Sequence, residues 1–120
     1  MDKVFIFIGA LLGGLGVAIG AFGAHGLKGK LTPDMLAVFE TGVRYHMYHA
    51  IAILLTALLM SRLEGRAIAI AGWAFSVGIL LFSGSLYALA LTGVTTLGAI
   101  TPLGGVAFLV GWIALAIAAF

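Results

Sequence analysis

Residues 4–24 read VFIFIGALLGGLGVAIGAFGA, an uncharged and strongly apolar run. At a rise of 1.5 Å per residue, a helix of about 21 residues reaches about 31 Å, which matches the hydrocarbon core of a bilayer. A signal peptide is the competing interpretation, because Met1-Asp2-Lys3 precedes the run and small residues end it. The run is long for a signal peptide, so we interpret it as a transmembrane span.

The composition of the whole chain supports this interpretation. Of the 120 residues, 63% are hydrophobic and 8% are charged, whereas a soluble domain is about 45–50% apolar and about 25% charged. The net charge of +2 comes from basic residues without a cluster, which argues against nucleic-acid binding. Since the chain has no cysteine, disulfides, thiolate nucleophiles and iron–sulfur clusters are excluded.

We predict an all-α membrane protein, with residues 1–120 forming one transmembrane domain of four helices. The predicted spans are residues 4–24, 45–61, 67–91 and 102–120. Basic residues are equally frequent on the two sides of such a bundle, so the positive-inside rule barely discriminates. We favour cytoplasmic termini, because the uncharged connection 92–101 is the easiest one to translocate.

The connection between the first two spans contains a predicted helix that starts at Pro33. Thr32 is a suitable N-cap and proline fits the first helical position. Apolar residues then recur at steps of three and four, at Leu36, Phe39, Val43 and Met47. This pattern predicts an amphipathic helix in the membrane interface, which would turn into the second span near Gly42.

Small residues recur along the first and fourth spans at a spacing that keeps one face toward a neighbour. Glycine lets the backbones of membrane helices approach closely, so packing is the favoured interpretation, and a glycine-lined conduit is the alternative. These stripes also exceed what one bundle needs, which favours a homo-oligomer. The predicted packing glycines are Gly9, Gly13, Gly16, Gly20, Gly23, Gly104 and Gly111.

Polar residues are concentrated toward one end of the predicted bundle, which is informative because ionisable groups at membrane depth are costly. Glu40 and Arg44 have the spacing of a helical ion pair. The candidate polar cluster comprises His25, Glu40, Arg44, Tyr45, His46, His49, Ser83, Ser85, Tyr87 and Thr101.

The three histidines allow two interpretations. His25, His46 and His49 could bind a metal ion or haem, although no metal-binding motif is present. Alternatively, they hydrogen-bond to carbonyls and hydroxyls and hold the helices together, which we favour. For the aromatic residues the favoured role is an anchor at headgroup level; these are Tyr45, Tyr48, Tyr87, Trp73 and Trp112.

The sequence contains no nucleophile elbow, no Walker loop and no paired carboxylates, so an enzyme is not favoured and no cofactor is expected. The favoured hypothesis is a non-enzymatic membrane protein that binds a lipid or small amphiphile, or assists other membrane proteins. A metal- or haem-binding redox component and a small oligomeric transporter are the alternatives.

Four ordered motifs carry a resemblance to a known family. They are GAFGAH (20–25), TGVRYHMYH (41–49), FSGSLY (82–87) and TPLGG (101–105). With them the chain resembles the small membrane proteins called domain of unknown function 423, which include transmembrane protein 256 of animals and many bacterial inner-membrane proteins. The resemblance implies a multi-pass protein of the cell membrane and carries no established activity.

Overall fold

All regular secondary structure is helical in the computed structural model, which describes residues 1–120. The helices are α1 (Asp2–Gly26), α2 (Pro33–Leu59), α3 (Arg66–Gly78), α4 (Gly84–Thr92) and α5 (Thr101–Ala118). A π-helical turn, Ile79–Ser83, joins α3 to α4, and a 3₁₀ segment, Thr95–Ala99, precedes α5. The helix therefore runs on from α3 through α4, and the predicted all-α fold is confirmed.

Three helical stretches are long and apolar enough to cross a membrane: Asp2–Gly26, Arg66–Thr92 and Thr95–Ala118. α2 is not one of them, because charged residues and histidines lower the hydropathy of its first half. Large apolar side chains such as Phe7, Leu58 and Leu80 are about two-thirds exposed. Such a surface is suited to lipid rather than to water.

α2 begins as the sequence predicts, with the Thr32 side chain accepting a hydrogen bond from the Met35 backbone N–H. The predicted turn at Gly42 is wrong, because α2 is one continuous helix of 27 residues and no separate interfacial helix precedes it. A Cβ at Gly42 would lie 2.8 Å from the Tyr87 ring. Gly42 therefore serves the close approach of α4 rather than a change of direction.

α2 is central to the bundle. α1 packs against it on one side, α3 and α4 pack against another face, and α5 packs mainly against α3. The principal core is formed by side chains such as Phe5, Ile53 and Phe75, which are fully buried. A smaller core around Leu27, Phe39 and Ala90 closes the opposite end.

The glycines of α1 lie mostly against large side chains of α2. A Cβ at four of the five predicted packing glycines of α1 would meet a side chain of α2, and Gly13 is the exception among these five, with no atom within 4 Å. On α5, Gly111 lies against the Phe75 ring and Gly104 lies against the Phe82 backbone. The glycine–partner pairs along α1 are Gly9 with Leu54, Gly16 with Met47, Gly20 with Val43 and Gly23 with Phe39.

Candidate functional site

His46 links three helices through hydrogen bonds. Its Nε2 lies 2.7 Å from the Leu12 carbonyl oxygen of α1, which can only accept, so Nε2–H is the donor. In the neutral ring Nδ1 is then an acceptor, and the Tyr87 hydroxyl of α4 donates to it across 2.8 Å. The His46 side chain is 3% exposed. Both nitrogens are thus engaged by protein groups.

His49 connects α2 to α5 in a similar way. Its Nδ1–H donates to the Tyr45 carbonyl oxygen at 2.7 Å, and its Nε2 accepts from Trp112 Nε1–H at 3.1 Å. The imidazole also stacks on the Phe108 ring, with centroids 3.5 Å apart and an interplanar angle of 6°. A proton on Nε2 would face the indole N–H, so this geometry requires neutral His49.

Three further hydroxyls form hydrogen bonds in or near the π-helical turn. The Ser83 side chain is fully buried and donates to the Gly42 carbonyl oxygen of α2 at 2.7 Å. Ser85 donates to the Phe82 carbonyl oxygen at 2.9 Å and lies 2.6 Å from the Thr101 hydroxyl of α5. π-turns inside α-helices often mark functional positions. Here the turn is where α2 and α5 both approach the same helix.

The structure does not bring the three histidines together. His25 is exposed near the end of α1, thirteen residues beyond Leu12, which corresponds to about 20 Å along the helix. No three histidine or carboxylate side chains lie close enough to share a metal ion. The three-histidine site proposed from the sequence is therefore not formed, because residues that share an end of a bundle can still be separated along its axis.

Glu40 and Arg44 border a cleft between α1 and α2. The cleft has a volume of about 170 Å³, and its apolar floor includes Gly20, Phe39 and Val43. Both charged side chains are exposed. The α2 side chains that form hydrogen bonds are Thr41, His46, His49 and Thr56, so neither charged residue is among them.

Two aromatic residues have roles that the sequence did not predict. Tyr87 and Trp112 were expected to be headgroup anchors, but their polar atoms bond to His46 and His49. Tyr45 and Tyr48 are exposed, as an anchor would be, and Trp73 packs edge-on against Phe5. The Ser83-Gly84-Ser85 sequence is the local feature that marks the unusual turn.

The difference in burial predicts a difference in histidine reactivity. A reagent that acylates imidazole nitrogens should modify exposed His25 in the folded protein and leave buried His46 and His49 largely unmodified. Peptide mass spectrometry can locate the modified residues. Treatment after denaturation is the control, and all three histidines should then react. Equal modification of His46 and His25 in the folded protein would contradict the structure.

The packing, the exposed apolar surface and the buried hydrogen bonds define a class: a small helical-bundle membrane protein with polar groups satisfied between its helices. The chain belongs to the family described as protein of unknown function (DUF423), whose model matches residues 19–105. This match confirms the resemblance seen in the sequence motifs.

Relatives of similar length are named as membrane proteins. The chain is 53% identical to the UPF0382 membrane protein YwdK of Bacillus subtilis, with 98% of this chain and 96% of the relative covered. It is 48% identical to a UPF0382 membrane protein of Staphylococcus aureus, with the same coverage. A UPF0382 membrane protein of Staphylococcus epidermidis is 49% identical, over 97% of this chain and 94% of the relative. No solved structure matches the chain.

Proposed function

We propose that this chain is a non-enzymatic protein of the cell membrane that crosses the bilayer four times and binds a lipid or similar amphiphile in the cleft between α1 and α2. The termini are cytoplasmic in this proposal, which assigns the cleft to the outer leaflet. The observation that carries the proposal is the cleft itself, because it combines an apolar floor with Glu40 and Arg44 at its border.

The packing of α2 supports the fourth crossing. α2 runs antiparallel to α1, since Gly9 lies against Leu54 and Gly23 lies against Phe39. Because α2 packs along α1 over this length, the two helices extend over the same depth of the membrane. The polar groups His46 and His49 are buried and hydrogen-bonded, which removes much of their cost in a hydrocarbon environment.

The alternative functions have less support. Each of the four cavities lies between two helices, and none forms a channel through the bundle. A transporter would therefore need more than one copy of the chain. Most of the predicted packing glycines lie against side chains instead of lining a channel. The ring nitrogens of His46 and His49 are occupied, which leaves exposed His25 as the one histidine with free ring nitrogens for haem or metal binding.

Filling the cleft tests the proposed binding directly. A photoactivatable lipid analogue should cross-link to the wild-type protein within residues 20–24 or 39–44, as read by peptide mass spectrometry. Ala24 lines the cleft, whereas the neighbouring Ala21 is exposed elsewhere on α1. Ala24→Trp should therefore abolish most of this cross-linking, and Ala21→Trp should retain it. Unchanged cross-linking in Ala24→Trp would refute binding in the cleft.

Self-association is a separate part of the proposal. No atom lies within 4 Å of the position that a Cβ at Gly13 would occupy, so this face of α1 is open to a second copy. Gly13→Leu should leave the monomer folded and reduce cross-linking between copies in native membranes, because a bulky residue separates close-packed helices. Wild-type protein that yields only monomer over a wide range of expression would refute the oligomer.

A further inference from the structure

The two charged residues of the cleft lie at different depths. Gly20 of α1 lies against Val43 and Gly23 lies against Phe39, so Arg44 is about one turn deeper than the end of the uncharged run of α1, and Glu40 is level with its last turn. This level is the boundary between hydrocarbon and headgroups. Four residues of helix separate the two side chains by about 6 Å along the axis. Arg44 is nearer the hydrocarbon, and Glu40 is nearer the water.

This order of charges is complementary to that of a zwitterionic phospholipid. In such a lipid the phosphate is next to the glycerol and acyl chains, and the ammonium group lies beyond it, toward water. A guanidinium binds phosphate oxygens strongly, often through two parallel hydrogen bonds. A carboxylate accepts hydrogen bonds from a primary ammonium, which has three N–H donors.

We propose that the cleft selects a zwitterionic phospholipid with a primary amine, such as phosphatidylethanolamine, with its phosphate on Arg44 and its ammonium on Glu40. This inference rests on the proposed lipid binding in the cleft. The apolar floor at Phe39 and Val43 contacts the upper part of an acyl chain. Phosphatidylglycerol has no ammonium to neutralise the Glu40 carboxylate, and a choline headgroup has no N–H to donate to it.

The test compares headgroups with equal acyl chains. The purified full-length protein is placed in nanodiscs containing equal parts of phosphatidylethanolamine, phosphatidylcholine and phosphatidylglycerol, and native mass spectrometry measures which lipids remain bound. We expect the wild type to retain phosphatidylethanolamine severalfold over the other two. Glu40→Gln should lose the preference over phosphatidylcholine, and Arg44→Gln should lose most lipid retention.

Arg62→Gln is the matched control, because Arg62 is an exposed arginine in the turn after α2, at the opposite end of that helix from the cleft. It should behave as the wild type. Lipid retained by the wild type without headgroup preference, or a preference for the anionic lipid through Lys28 and Lys30, would overturn the inference and leave lipid binding standing. An unchanged preference in Glu40→Gln would also overturn it. No retained lipid at all would refute both proposals.

Discussion

Gly104→Ala is expected to destabilise the bundle by about 2 kcal/mol or more, although it adds one methyl group. A Cβ at Gly104 would meet the backbone nitrogen and Cα of Phe82, within the π-helical turn. Backbone atoms cannot move aside as the end of a flexible side chain can. The steric clash can therefore be relieved only if α5 moves away from the helix that it packs against.

The neighbouring residue supplies a control for this substitution. Gly105 has no atom within 4 Å of the position of its missing Cβ, so Gly105→Ala adds the same methyl group without a clash. Unfolding by a denaturing detergent in mixed micelles can compare both variants with the wild type. Equal stability of the two variants would show that α5 does not approach the π-helical turn as the structure has it.

His46→Ala is the second substitution with a large expected effect, about 2–4 kcal/mol of unfolding free energy. It removes a buried ring and leaves the Tyr87 hydroxyl and the Leu12 carbonyl without their partner. Tyr87→Phe removes one hydrogen bond, so its cost should be smaller, roughly 0.6–1.7 kcal/mol.

His25→Ala is the control for the histidine substitutions, because His25 is exposed and should tolerate the change. The same detergent unfolding measurement applies to all three variants. In the double variant of His46 and Tyr87, the two effects should be less than additive, since both substitutions remove the same bond. A His46→Ala protein as stable as His25→Ala would contradict the role of His46 as a link between helices.

The sequence was sufficient to predict those features of the fold that depend on neighbouring residues. Uncharged runs predicted the helices, and Thr32 with Pro33 predicted the start of α2, which the structure confirms. These inferences succeed because helix length, capping and hydropathy depend on residues within a few positions of one another.

The partners of those polar residues could not be predicted in the same way. His46 and Tyr87 are 41 positions apart, and His49 and Trp112 are 63 positions apart, so a single sequence does not indicate that they pair. Gly42 is a similar case, because a glycine inside a helix can mark a turn or a close contact. The neighbouring Tyr87 ring decides between these possibilities, and it is visible only in the fold.

In the proposed topology, α2 crosses the membrane together with α1, α3–α4 and α5. Because the chain has no cysteine, single cysteines at exposed Lys3, Lys30, Arg62 and Thr96 can each be tested with an impermeant thiol reagent in intact cells. Four crossings predict that positions 30 and 96 are labelled from outside and that positions 3 and 62 are labelled only after the membrane is permeabilised. Labelling of positions 30 and 62 from the same side would mean that α2 does not span the bilayer and would contradict the account.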